Sequence, residues 1–142
     1  MNIYADSSFL VSIHIQDVHS SEAIRRMAQL PSVLVTPLNR TEVAHAINQY
    51  VFRGNLTRAE ALRDWSEFEQ YAEQGIWLPV DLPERTWETS IDLARRYGPT
   101  LGVRTLDPLH VACALELKAE RFWTFDDRQA RLAEAVGLNT HP

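Results

Sequence analysis

Four short apolar runs, "NIYA" (2–5), "SVLVTP" (32–37), "IWLPVDL" (76–82) and "RFWTF" (121–125), are separated from one another by segments with helical features. This alternation constrains the fold more than any other feature of the chain. Strands bridged by helices cannot pair as hairpins; they pair in parallel, and the crossover helices cover both faces of the sheet. Residues 17–30 carry Val18, Ala23, Ile24, Met27 and Leu30 near helical spacing, and residues 39–52 place Val43, Ala46, Ile47, Tyr50 and Val51 on one face before Gly54. Thr57 and Glu60 form a capping box that opens a helix to about residue 73, ahead of Gly75. Residues 83–98 begin with proline and end with glycine, 105–118 tolerate Pro108 only in the first turn, and 126–137 end at Gly137. Pro37 closes the second strand, and Pro79 sends the third to a sheet edge or a kink. With 142 residues and no repeat, low-complexity tract or linker, the expectation is one α/β domain over 1–142 with a mostly parallel sheet.

The first strand ends on a carboxylate, in "IYADSSFLVSI" (3–13). Asp6, Ser7 or Ser8 can cap the helix that follows. The alternative is that Asp6 begins a site, because ligands of open parallel sheets collect beyond the carboxyl ends of the strands. Asp126 ends the fourth strand in the same way, Glu42 is expected in the first turn of the helix after the second strand, and Asp107 in the first turn of the helix before the fourth. Each alone reads equally as a cap or a dipole partner. Together, four carboxylates from four separate segments converge on one edge. Two such charges about 4 Å apart repel by about 4 kcal/mol at an effective dielectric near 20, so the cluster must take up protons or bind cations. Oxygen ligands without cysteine or histidine select Mg²⁺ or Mn²⁺ over zinc, and such ions suit phosphoryl chemistry.

The net charge of −5 and pI near 5.5 exclude a broad basic face for gripping nucleic acid, but not a few local arginines working beside metal ions. "MNIYAD" shows neither a basic leader nor a long apolar stretch, and no apolar run approaches the roughly 18 residues of a membrane span. The single cysteine, Cys113, lies in apolar "HVACALEL" and reads as a buried structural thiol. These features fit a cytoplasmic protein.

Four segments, taken in order, resemble the PIN-domain family, specifically the VapC-type toxin ribonucleases of bacterial toxin–antitoxin pairs: "YADSSFLVSI", "TEVAHAI", "RTLDPLHVACAL" and "FWTFDDRQARLAEAVGL". The resemblance implies a PIN-like three-layer α/β/α sandwich. It implies a divalent-metal-dependent endoribonuclease in which Asp6, Glu42, Asp107 and Asp126 are catalytic, with Asp6, Asp107 and Asp126 as metal ligands. Ser8 and Thr124 match the hydroxyls that support the acids. Arg40 and Arg104, near Glu42 and Asp107 in sequence, are candidates for phosphate contacts. Pro108 departs from the small residue the pattern favours, and Asp127 offers a second choice for the fourth acid; Asp126 is preferred because it directly follows "TF". The implied partners are an RNA substrate, a cognate antitoxin and a second copy of the chain, paired through the 40–53 and 57–73 helices, with no membrane.

Two other functions compete. A PIN-like module that binds RNA or protein without turnover would carry the same acids. A receiver-type phospho-acceptor domain also gathers acids at strand ends, but needs an adjacent acidic pair after the first strand and a late-strand lysine; here Asp6 precedes serine, and Lys118 lies on a helix. His14, His19, His45, His110 and His141 show no metal-ligand spacing, and His110 reads as a hydrogen-bonded core or near-site residue rather than a base. Ser7 and Ser8 lack a nucleophile elbow. Trp65, Phe68 and Tyr71, spaced three apart, read as packing or interface rather than base stacking.

Overall fold

A computed structural model describes residues 1–142. The strands are β1 (Asn2–Ala5), β2 (Ser32–Val35), β3 (Trp77–Pro79) and β4 (Arg121–Trp123). The helices are α1 (Ser7–His14), α2 (Ser20–Met27), α3 (Pro37–Phe52), α4 (Arg58–Glu73), α5 (Thr86–Leu101), α6 (Leu106–Glu116) and α7 (Asp127–Ala135). The sheet runs β3-β2-β1-β4 and is parallel throughout. After β1 the chain builds outward through β2 and β3, then crosses to place β4 on the other flank of β1. The direction of winding therefore reverses at β1, and a crevice opens beyond the carboxyl ends of β1 and β4.

Side-chain alternation along the strands divides the core in two. Ile3, Ala5, Val33, Val35 and Trp123 pack with α1 to α4, while Tyr4 and Phe122 pack with α5 to α7. The result is the expected three-layer α/β/α arrangement. Pro79 lies in the edge strand, where its missing N–H costs no ladder bond. Cys113 is buried, and burial pushes its thiol pKa up to about 11.

Several boundaries differ from the sequence expectation. Pro37 does not close β2 but opens α3, because Thr36 caps that helix through a reciprocal box with Asn39. Glu42 consequently falls in the second turn of α3, not the first. The third strand shortens to three residues. The 83–98 helix starts later and runs through Gly98 and Pro99 to stop at Gly102, whose left-handed φ of 62° suits glycine. The helix expected over 17–30 contracts to α2.

Below β3, His14 is enclosed by Phe68, Tyr71 and Trp77 at ring separations of 5.5, 4.8 and 5.7 Å, and its Nδ1 lies 2.7 Å from Glu67 Oε1. Burial pulls its pKa below the ordinary value, against the opposing pull of Glu67. A histidine with a depressed folded pKa must take up its proton on unfolding, so the unfolded chain binds more protons and stability rises with pH. Stability should therefore fall as pH drops through and below about 6.5, the unfolded value. Denaturant titrations from pH 8 to 5 should show a shallower acid loss in His14→Phe than in wild type; parallel curves would count against this origin.

Candidate active site

Asp6 follows β1 directly. Its backbone N–H donates to the Trp123 carbonyl at 3.0 Å, which carries the β1–β4 pairing to the rim of the crevice. Asp6 is 2 % exposed, and its side chain accepts four hydrogen bonds. Oδ1 takes Ser8 Oγ at 2.6 Å and the Phe9 N–H at 3.1 Å; Oδ2 takes Thr124 Oγ1 at 2.5 Å and Gln129 Nε2 at 2.9 Å. The bond to Phe9 caps α1. Burial raises the Asp6 pKa, an effect only partly offset by His110 and by the Ser8, Thr124 and Phe9 donors. The carboxylate is thus fully hydrogen-bonded yet still short of compensating charge.

Asp126 caps α7, with Oδ1 accepting the N–H groups of Arg128 at 2.9 Å and Gln129 at 3.2 Å. Its Oδ2 meets Arg104 Nη2 at 3.0 Å. Asp107 is 4 % exposed, and its Oδ2 accepts the Arg104 N–H at 2.9 Å, closing the turn that leads into α6. Pro108 sits in the first turn of α6 and leaves this bond in place. Glu42 reaches in from α3. The start of that helix is tied to β1 by Asn39, which is wholly buried and donates from Nδ2 to the Ala5 carbonyl at 3.0 Å. Glu42 Oε1 accepts from Ser7 Oγ at 2.7 Å and from His110 Nε2. Burial works to raise the Glu42 pKa, but the His110 and Ser7 bonds outweigh it and hold the pKa below the ordinary value.

Asp6, Glu42, Asp107 and Asp126 all line one cleft of about 400 Å³, together with Ser7, Ser8, Arg104, His110 and Gln129. Thr124 reaches the cleft through Asp6, and its Oγ1 lies 3.4 Å from Ser8 Oγ. Arg40 does not join them: it pairs with Glu69 at 3.4 Å and stacks over Trp65 on the α3–α4 face. Asp127 is exposed, outside the cleft lining. The donor chemistry, four carboxylates with hydroxyls and no thiolate, fits a hard divalent cation. The side chains do not close into a coordination shell, since no three Asp, Glu, His or Cys groups are gathered tightly enough to hold an ion.

Asn39 and Gln129 are not singled out by the sequence, and Ser7 only as a cap or a nucleophile; His110, expected as a hydrogen-bonded core or near-site residue, lies in the cleft. His110 and Gln129 stand three residues after Asp107 and Asp126, a spacing that puts each on the same helical face as its acid. That spacing was the available signal. Asn39 gave none, because its role is to bond a strand carbonyl 34 residues away.

The PIN domain family model matches residues 3–135. No curated protein matches the sequence. Among solved structures, the chain is similar to VapC20 of Mycobacterium tuberculosis, described as a sarcin–ricin loop cleaving toxin, with a TM-score of 0.73 at 16% identity over 99% of both chains. It is also similar to VapBC2 of Rickettsia felis, solved bound to a DNA fragment from its promoter, with a TM-score of 0.69 at 11% identity over 99% of this chain and 98% of the other. FitAcB of Neisseria gonorrhoeae gives 0.67 at 13% identity over 99% and 96%. At these identities the likeness is one of fold.

Proposed function

The chain belongs to the PIN-domain family, and from that premise we propose that it is a divalent-metal-dependent endoribonuclease, the toxin of a toxin–antitoxin pair. The observation that carries this reading is the arrival of Asp6, Glu42, Asp107 and Asp126 in one cleft from four separate segments. Similarity to structures described as a cleaving toxin and as a VapBC assembly supports the biological setting. No helix is long and apolar enough to cross a membrane.

Asp6, Asp107 and Asp126 would hold Mg²⁺ or Mn²⁺, with Glu42 beside them. The ion supplies charge neutralisation at the phosphate and an activated water. Ser8, Thr124 and Gln129 keep both Asp6 oxygens fixed, so this ligand stays aimed while the others adjust. Arg104 is 66% exposed at its side chain and rests on Asp126 at the mouth of the cleft. An arginine so placed can exchange its carboxylate for an RNA phosphate. Arg104→Gln should raise KM for RNA while leaving metal affinity equal or tighter, because a cation leaves the cluster. An unchanged KM would remove Arg104 from substrate binding.

The direct test is cleavage of a mixed set of labelled RNAs with Mg²⁺, Mn²⁺ or EDTA, with Asp107→Asn in parallel. Cutting that needs both the metal and Asp107 establishes the activity. Metal and RNA binding without cutting would favour an idle binding module, a reading that the open spacing of the acids keeps in play.

Phe52 and Leu62, 86% and 67% exposed, flank a groove between α3 and α4 that also includes Val51, Ala61 and Trp65. We propose this face as the contact between two copies of the chain. Light scattering should give a dimer for wild type and a monomer for Leu62→Asp; a wild-type monomer counts against the pairing.

A further inference from the structure

Glu42 differs from the other three acids in how it is held. Asp6, Asp107 and Asp126 each accept a backbone N–H, from Phe9, from Arg104, and from Arg128 and Gln129 respectively. These bonds come with the helix caps and turns. Glu42 projects from the second turn of α3 on a longer side chain, and its hydrogen bonds come from side chains alone, Ser7 and His110. A glutamate fixed in one conformation gives up side-chain entropy, so something specific must hold it.

His110 is 2 % exposed and bridges the sheet and α3. Its Nδ1 lies 2.7 Å from the Tyr4 hydroxyl, and the Tyr4 ring meets the imidazole edge-on at 5.8 Å and 61°. Its Nε2 faces Glu42 Oε1. An ionised carboxylate can only accept, so the proton must sit on Nε2. In neutral imidazole Nδ1 is then an acceptor, and the Tyr4 phenol, whose pKa burial raises well above the ordinary value, supplies the O–H. Turning the ring over would set C–H groups against both partners and leave both nitrogens unpaired.

We propose that His110 is the positioning residue for Glu42: Tyr4 locks its imidazole so that Nε2 donates to Oε1, and the carboxylate presents one oxygen, Oε2, to the cleft. Ser7 donates to the same Oε1, while Oε2 accepts no hydrogen bond and is the oxygen left to act. Glu42 therefore works in the cleft as a one-oxygen group. The metal-site part of this role rests on the nuclease reading; the locked geometry does not.

Two measurements test it. Side-chain ¹⁵N NMR of the intact protein at neutral pH should show His110 as the Nε2–H tautomer in wild type, relaxing to a mixture in Tyr4→Phe. Calorimetry with Mn²⁺ should show binding weakened about 10- to 100-fold in His110→Leu. It should be largely restored in His110→Gln, whose terminal amide places an N–H near the position of Nε2. In RNA cleavage the leucine variant should lose kcat at saturating RNA with KM for RNA unchanged. A merely structural His110 would give equal losses in both variants, tracking their melting temperatures, and that result overturns the proposal. So does an Nδ1–H tautomer in wild type. Wild-type protein that binds no Mn²⁺ would overturn the nuclease reading and with it the metal-site role, while the tautomer would still decide whether His110 locks Glu42.

Discussion

Asp6→Asn should abolish metal-dependent RNA cleavage, by about a thousandfold or more, without unfolding the protein. A metal ion supplies several kcal/mol of charge stabilisation at a phosphoryl centre, and each 1.36 kcal/mol is tenfold in rate. Asp6 is the most tightly held of the four acids and would anchor that ion. The substitution removes the charge and keeps the shape. It also turns one of the two oxygens into a donor, which faces either Ser8 and the Phe9 N–H or Thr124 and Gln129. The surroundings can absorb that change on the second side. Gln129 Oε1 is buried without a partner, so reversing the Gln129 amide offers the new Nδ2 an acceptor, and the Thr124 hydroxyl can turn. The remaining Oδ1 still caps α1 through Phe9. Relief of a buried, under-compensated charge further offsets the cost, since burial already raises the Asp6 pKa. The check is cleavage rate beside thermal unfolding: a folded, inactive variant is the expected pair. An active Asp6→Asn protein would detach catalysis from this cleft.

Trp77→Ala should be severely destabilising, costing about 3–5 kcal/mol. Trp77 is completely buried and meets Phe68 and Tyr71 of α4 at 6.3 and 5.5 Å, besides His14. It also pairs with Val33, joining edge strand β3 to the sheet. For a chain of this size the loss corresponds to roughly 10–15 °C in Tm. The indole N–H is itself buried without a partner, so truncation forfeits packing and no hydrogen bond. Trp77→Phe should consequently recover most of the stability, because it keeps a ring and removes an unsatisfied donor. Urea unfolding of the three proteins measures both differences. A Trp77→Ala value within 1 kcal/mol of wild type would show that β3 is held by other contacts.

Local chemistry made much of this protein legible. Apolar runs spaced by helical segments favour a parallel sheet, because parallel strands need crossover connections. The four acids were legible for a related reason: strand ends and helix starts in a parallel sheet share an edge, so position along the chain already implies position in space. The cap-or-site question about Asp6 and Asp126 dissolves in the structure. Each is an N-cap and also lines the cleft. The same carboxylates satisfy orphan N–H groups and line the cleft, so a local motif cannot separate the two roles.

Arg40 and Arg104 mark the limit of sequence proximity. Both lie within three residues of an acid, yet Arg104 reaches Asp126, 22 residues on, while Arg40 turns away to Glu69. A residue two positions before an acid on a helix projects about 200° around the axis from it, whereas a residue in the turn leading into α6 can fold back over the cleft. Helix phase decided the first case and loop geometry the second.

The sequence by itself determined the layers, the parallel pairing and the edge at which the acids gather, since each follows from periodicity and connection length. Only the tertiary structure decided which side chains hold those acids. Asn39 on Ala5, His110 between Tyr4 and Glu42, and Gln129 on Asp6 are hydrogen bonds across 34 to 123 residues of chain. Such partners are selected by distance and desolvation after the core has packed, and no local pattern encodes them.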